Sequence, residues 1–159
     1  AIVDVHFPDL HRDLLDTELT QFIFDQLKTY QVGKRLIFEI LESDGIDNYN
    51  EVRRFIDKAK GFGCKIAIDD FGTGYSNFEH LLRLNVDLIK IDGSLIRNLN
   101  DDQSAIIVTR GVVQFARSLG IKTVAEFVHC EAVQKQVQAL DIDFSQGAYF
   151  SMPKAELSR

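Results

Sequence analysis

The feature that most constrains the fold is a regular alternation of short apolar runs with amphipathic stretches. The runs are rich in β-branched residues, and several are apolar on both faces, which is typical of strands buried in a parallel sheet. They occupy residues 2–7, 35–41, 64–68, 86–91, 122–126 and, more weakly, 144–150. Helix-like stretches lie between them at residues 16–30, 48–60, 102–119 and 131–140. Strands and helices that alternate every roughly 25–35 residues predict βαβ units and a parallel α/β sheet.

Local signals place the helices more closely. In the stretch 16–30, the side chains predicted to share one apolar face are Leu19, Phe22, Ile23 and Leu27. Aspartates at the start of two stretches, Asp16 and Asp102, predict side-chain N-caps.

Two layouts fit this alternation, a doubly wound open sheet and a (β/α)8 barrel. The glycine-rich fingerprint of a dinucleotide-binding first turn is absent. Nearly every predicted strand ends on a polar side chain, and polar groups that converge from many strand ends are typical of a barrel mouth. We therefore predict a (β/α)8 barrel, with residues 1–159 as a single domain fragment. About six strands are present, so roughly two more are expected before Ala1.

Two adjacent carboxylates follow the apolar run 66–68. Because successive strand side chains point to opposite faces, Asp69 and Asp70 can share one site only if the chain turns there. Gly72 and Gly74 permit such a turn, since glycine accepts positive φ. The pair is expected to bind hard divalent cations and to bridge two of them. The alternative is a plain acidic loop in which an aspartate caps the next helix.

A second acidic pair lies in and after the predicted strand 35–41. Glu39 stands among apolar residues, and an unpaired buried carboxylate is unfavourable, so it requires a metal ion or a cationic partner. A salt bridge inside the barrel is the alternative. Glu42 comes three residues later, past the strand end. It either orients a neighbouring loop or is simply solvated.

Three more polar residues mark later strand ends. Lys90, among apolar neighbours, is suited to neutralise a phosphate or hold an attacking water. It is equally suited to a structural ion pair with Glu39 or Asp69, and both roles can hold. Glu126 binds metal, acts as a general base, or is a surface residue that opens a loop. Gln146 can hydrogen-bond ligand or water. Together these groups predict two-metal hydrolysis of a phosphoester.

Charge and hydropathy exclude other classes of function. The formal net charge is −6, and no basic patch is evident, which argues against binding to DNA or RNA. The apolar runs are too short to insert into a membrane. The N-terminus lacks the pattern of a signal peptide, so we expect a cytoplasmic protein or a cytoplasmic domain of a membrane-anchored sensor.

Five ordered segments resemble the EAL domain, a bacterial family of phosphodiesterases that open cyclic di-GMP to linear pGpG. They are residues 38–43, 69–76, 88–92, 124–126 and 146–153. The resemblance covers nearly the whole chain, and its most specific segment is Asp-Asp-Phe-Gly-Thr-Gly-Tyr-Ser at 69–76. It implies a modified (β/α)8 barrel, which agrees with the fold predicted above.

The resemblance also implies metal ligands. Glu39 and Asp69 would ligate metal, and Asp70 would hold a second metal or its water. Glu126 would be a metal ligand or a base. Asp4 stands where the family usually has Asn, and it is a competent oxygen ligand. Mg²⁺ or Mn²⁺ is implied, with two ions expected.

Further residues are implied to support the reaction. Lys90 would polarise the nucleophile, and Gln146 would support the network of water and metal. Glu42 would steady the loop 70–76, which in this family links the site to dimerisation. Substrate or loop support is likewise expected of Asp92, Gly72 and Ser76. The implied partners are cyclic di-GMP, a second copy in a homodimer, and an upstream GGDEF or sensory domain.

The chain also departs from the family pattern. Gly93 replaces a common Arg, Phe127 a common Gly, and His129 a common second Glu. The Glu-Ala-Leu segment is expected upstream of Ala1, so this fragment by itself is expected to lack one metal ligand. The alternative function is therefore a catalytically degenerate EAL-type domain that acts as a cyclic di-GMP receptor or a protein-interaction module.

Overall fold

The structure is a computed structural model that describes residues 3–7, 13–14, 16–44, 46, 48–72 and 78–152. Its chain forms two compact units. The first contains Ala1–Ile68 and Asn77–Asp87, and the second contains Asp69–Ser76 and Leu88–Arg159. The predicted alternation of strands and helices is confirmed in both units, and each unit is described separately below.

The first unit contains a parallel sheet flanked by helices. Its strands follow the order β1-β2-β3, and β1 pairs with β2 in parallel, from Val3 opposite Leu36 to His6 opposite Glu39. The elements are β1 (Val3–His6), α1 (Thr17–Tyr30), a 3₁₀ turn (Gly33–Arg35), β2 (Leu36–Leu41), α2 (Tyr49–Gly61) and α3 (Phe78–Arg83). Strand β3 (Lys65–Phe71) is shared, and its residues up to Ile68 belong to this unit.

An aromatic cluster fills the core of the first unit. Phe55 of α2 lies with its ring centroid 5.3–5.5 Å from those of Phe7, Phe24 and Phe38, and all four side chains are buried. The prediction that Phe22 lies on the buried face of α1 is wrong, because 61% of it is exposed. The apolar face is turned toward Phe24 and Leu27, since Phe24 packs against Phe55.

A buried histidine ties α3 to the segment after β2. His80 is 0% exposed, with Nδ1 2.9 Å from the Tyr49 hydroxyl and Nε2 3.0 Å from the Asp44 carbonyl oxygen. A carbonyl only accepts, so Nε2 carries the proton and donates it, and Nδ1 accepts from Tyr49. Burial lowers the pKa of His80, although the contact with Asp44 partly opposes this shift. The imidazole is therefore neutral and acts as a hydrogen-bonded link.

The second unit repeats the parallel arrangement. Its strand order is β3-β4-β5-β6, with Leu88 opposite Lys122 and Val124 opposite Phe144 in parallel pairs. Its elements are the end of β3, β4 (Leu88–Ile91), α4 (Gly93–Ile96), α5 (Gln103–Ser118), β5 (Lys122–Ala125), α6 (Glu131–Ala139) and β6 (Phe144–Ser145). Among the described residues, no helix combines the length and apolar character needed to cross a membrane.

The predicted helix starts are confirmed, whereas some strand ends differ. The Asp16 side chain accepts from the backbone of Glu18 and Leu19, and Asp102 accepts from Ser104. Strand β3 extends to Phe71, beyond the predicted run 64–68. Strand β6 stops at Ser145 instead of continuing to residue 150. The chain turns there, as Phe150 N–H donates to the Gly147 carbonyl.

The aromatic cluster yields a stability prediction. We expect Phe55→Ala to lower the free energy of unfolding by about 3–5 kcal/mol, because a cavity replaces contacts with three other rings. The matched control Phe22→Ala removes an exposed ring of the same type and is expected to cost less than about 1 kcal/mol. Urea denaturation of both variants measures the difference. Equal losses would contradict the assignment of the core.

Candidate active site

The candidate site of the second unit lies at the carboxyl ends of its parallel strands. Asp69 and Asp70 belong to the end of β3, Lys90 to β4, and Glu126 directly follows β5. Glu126 N–H donates to the Ile91 carbonyl at 3.2 Å, which holds the ends of β4 and β5 together. The polar strand ends found in the sequence thus converge here, at the edge where α/β proteins place their chemistry.

Lys90 is the centre of this group. Its Nζ lies 3.0 Å from Asp69 Oδ1 and 3.0 Å from Glu126 Oε1. Lys90 and Glu126 are both buried, each 7% exposed. The predicted ion pair between Lys90 and Asp69 is confirmed, and the pair with Glu126 was not predicted. The alternative that Glu126 is a surface residue is wrong.

The backbone turns at the Asp69-Asp70 pair, which allows both carboxylates to face the same site. Asp70 has φ +54°, in the left-handed region, and its N–H donates to Asp69 Oδ1 at 3.0 Å. Aspartate tolerates this region better than most residues. The sequence assigned the turn to glycines, and Gly72 does follow with φ +105°, where a Cβ would lie 2.6 Å from Leu95 Cδ1. The turn therefore begins two residues before Gly72, at the second aspartate.

The arrangement brings carboxylate oxygens within reach of one cation. One oxygen each from Asp69, Asp70 and Glu126 lie within 4.8 Å of one another. Oxygen ligands of this kind are the ones that Mg²⁺ and Mn²⁺ prefer. These carboxylates outnumber the ammonium of Lys90 that lies among them, so an additional positive charge would be favourable. The donor set fits a divalent ion.

The same charges alter the acidity of Glu126. Its pKa is raised, first because burial disfavours the charged carboxylate. The positive charge and hydrogen bond of Lys90 lower it, whereas the negative charges of Asp69 and Asp70 raise it further. A carboxylate with a raised pKa is better placed to exchange a proton near neutral pH.

Other predicted residues of the second unit lie around this group. Asp92 caps α4, since its carboxylate accepts from Ser94 N–H at 2.8 Å. Gln146 is exposed and lines a cavity of about 450 Å³ together with Glu126. Ser76 lies outside the described residues. The site roles of Asp92, Gln146 and Ser76 stay predictions.

The remaining predicted residues belong to the first unit. Glu39 and Glu42 are buried, 6% and 4% exposed, so the alternative that Glu42 is solvated is wrong. Asp4 is exposed on β1 and pairs in register with Ile37 of β2. Metal ligation by Glu39 and Asp4, and loop support by Glu42, stay predictions.

Sequence reasoning noted Phe127 and Gly93 separately and missed their contact. Phe127 follows Glu126 with φ +54°. A Cβ on Gly93 would lie 2.4 Å from Cδ2 of the Phe127 ring. Both residues are departures from one family pattern, and they lie just after two neighbouring parallel strands, β4 and β5, which was the available signal.

Comparisons with known proteins agree with this geometry. A family model described as EAL domain matches residues 3–153. Cyclic di-GMP phosphodiesterase PdeF of Escherichia coli is 37% identical over 129 residues, which cover 80% of this chain and 17% of that protein. The chain spans only 17–20% of the length of the first curated relatives that it matches.

Solved structures match over almost the whole chain. The EAL domain of Mycobacterium smegmatis DcpA superimposes with a TM-score of 0.85 and 26% identity, over 96% of this chain and 68% of that chain. Klebsiella pneumoniae BlrP1, in a complex with manganese and cyclic di-GMP, gives 0.79 and 26% over 92% of this chain and 37% of that chain. The predicted fold class, α/β of the EAL-type (β/α)8 barrel, is confirmed, with six strands among the residues that the structure describes.

The charges around Glu126 predict two opposite shifts of its pKa. Lys90→Met removes the group that lowers this pKa, so we expect the pKa to rise. Asp69→Asn removes a charge that raises it and is expected to lower it. Titration of the Glu126 carboxyl carbon by NMR, with EDTA present, measures both shifts. The control Lys122→Met removes a lysine at the start of β5 that pairs with Asp143, and it should leave the titration unchanged. Shifts of the same sign would contradict this description of the cluster.

Proposed function

The chain belongs to the EAL domain family, and from this membership we propose that it hydrolyses cyclic di-GMP to linear pGpG at the cluster around Lys90. The observation that carries the proposal is the buried ammonium of Lys90, 3.0 Å from both Asp69 and Glu126, with Asp70 beside them. The names of the relatives, which are cyclic di-GMP phosphodiesterases, support this substrate.

The proposal includes divalent metal, as Mg²⁺ or Mn²⁺ and with two ions. Asp69 and Asp70 would hold the metal through their carboxylate oxygens, and Glu126 would be either a further ligand or the base. The manganese in the BlrP1 complex supports this class of ion. When bound, such ions polarise a phosphoryl oxygen and lower the pKa of a coordinated water.

The residues of the chain have separate tasks in the proposed reaction. A water attacks phosphorus, the bond to one ribose oxygen breaks, and that oxygen takes up a proton. Where Glu126 acts as the base, it accepts the proton that the water loses, and this proton is then available to the leaving ribose oxygen. Lys90 places a positive charge beside the phosphate, where negative charge grows during the attack. The contacts of its ammonium with Asp69 and Glu126 fix the position of that charge.

Several further expectations from the sequence stay predictions. They concern the homodimer, an upstream GGDEF or sensory domain, the cytoplasmic location, and the single domain of residues 1–159. The alternative function, binding of cyclic di-GMP without hydrolysis, is distinguished from the enzyme by the experiment that follows.

We expect the protein, purified at its full natural length, to convert cyclic di-GMP to pGpG when Mn²⁺ is present and not when EDTA is present. Lys90→Met and Asp69→Asn should each lower turnover by about 100-fold or more, since each removes a charged group from the reacting centre. Chromatography of the nucleotides measures the product.

Lys122→Met provides the matched control. Lys122 is a strand lysine paired with an aspartate, at 2.6 Å from Asp143 Oδ1, but it lies at the opposite end of β5. Its replacement should leave turnover within about twofold. Binding of cyclic di-GMP without any pGpG would establish the receptor instead. Unchanged turnover in Lys90→Met would refute the site.

A further inference from the structure

Phe127 has a backbone conformation that is unfavourable for a bulky residue. Its φ of +54° lies in the left-handed region, where a Cβ approaches the following carbonyl oxygen. Outliers of this kind persist only when surrounding contacts determine them, and they concentrate at functional sites. The ring is 51% exposed, so burial of the whole side chain does not explain the conformation.

Hydrogen bonds on both sides fix this backbone. Gln146 N–H donates to the Ala125 carbonyl at 2.8 Å, and Val128 N–H donates to the Gln146 carbonyl at 3.0 Å. Tyr149 N–H then donates to the Val128 carbonyl at 3.0 Å. Gly147 lies so close that a Cβ there would be 2.3 Å from the Val128 oxygen. These hydrogen bonds therefore constrain the backbone conformation of residue 127.

The ring of Phe127 lies against α4. A Cβ on Gly93 would be 2.4 Å from Cδ2 and 2.7 Å from Cγ of the ring, so the ring occupies the space that a side chain at 93 would need. The guanidinium carbon of Arg97 lies over the same ring, 4.4 Å from its centroid. Residues 93 and 97 are four apart and share one side of the turn. The ring of Phe127, which follows Glu126 in the chain, is therefore packed between Gly93 and the guanidinium of Arg97.

The ring borders two cavities of the second unit. One, of about 450 Å³, is lined by Phe127 together with Glu126 and Gln146. The other, of about 410 Å³, is lined by Phe127 together with Arg97 and His129. Phe127 and Ala148 are common to both, and alanine has little bulk. Phe127 is therefore the larger of the two side chains that both cavities share.

We propose that Phe127 is a specificity-determining wall, which confines a ligand to the cavity at Glu126 and keeps it from extending toward Arg97 and His129. The proposal rests on the function proposed above. A cyclic dinucleotide is closed on itself by two phosphodiester bridges, whereas the linear dinucleotide can extend. A wall at this place favours the closed substrate over its opened product, and it assists release of that product.

The affinity test compares two ligands with Mn²⁺ present, a slowly hydrolysed phosphorothioate analogue of cyclic di-GMP and linear pGpG. Phe127→Gly removes the wall and also suits the positive φ, so the preference for the cyclic ligand should fall about tenfold. Phe127→Leu keeps most of the bulk and should retain the preference. The control Phe22→Ala removes an exposed phenylalanine from α1 and should change neither affinity.

The outcomes separate this inference from the proposed function. If the unmodified protein binds the cyclic ligand and Phe127→Gly keeps the same preference, the wall is refuted and the proposed function stands. If the unmodified protein binds neither ligand, the proposed function is refuted, and the inference with it. A lost preference in Phe127→Leu would overturn the steric explanation.

A second test examines the contact itself. Gly93→Ala should lower the melting temperature by about 2–10 °C, because the added methyl group overlaps the ring. In a protein that also carries Phe127→Gly, the same change should have little effect. Gly111→Ala is the matched control, since a Cβ there meets nothing within 4 Å. An equal decrease in both backgrounds would show that the ring does not occupy the space at Gly93.

Discussion

The ammonium of Lys90 holds together the ends of three parallel strands in the second unit. It contacts Asp69 on β3 and Glu126 after β5, and its own strand lies between them. Carboxylates gathered at a buried edge repel one another, and the repulsion is strong where water is excluded. Without a cation among them, these side chains would turn away or take up protons. The shape of the acidic edge therefore depends on this one side chain.

Such a cluster is costly for stability, which agrees with the catalytic role proposed for it. Taking charged groups out of water is costly, and well-packed apolar residues of similar volume are often at least as stable as buried ion pairs. The aromatic cluster around Phe55 shows how the same chain builds a core when no chemistry is needed. Phe127 is a second unfavourable feature at the same place, because its positive φ lies next to Glu126.

The periodicity of the sequence was sufficient for the fold, since buried parallel strands and one-sided helices leave different patterns. The convergence of Asp69, Asp70, Lys90 and Glu126 also followed, because parallel strands end at a common edge. Other features depend on tertiary contacts that periodicity does not encode. The rotation of α1 toward Phe24 depends on Phe55, a residue far away in the chain. The pair of Phe127 and Gly93 depends on a positive φ that no propensity assigns to phenylalanine.

The link formed by His80 constrains how the sequence can change. Its imidazole must offer a donor to the Asp44 carbonyl and an acceptor to Tyr49, on two atoms a fixed distance apart. At residue 44 both the backbone and the side chain are engaged, since the Asp44 carboxylate accepts from Leu41 N–H at 3.1 Å. Tyr49 and His80 constrain each other, because loss of the Tyr49 hydroxyl leaves Nδ1 of the buried His80 with one contact fewer. The two positions are therefore coupled physically, because replacing either residue removes a hydrogen bond of the other.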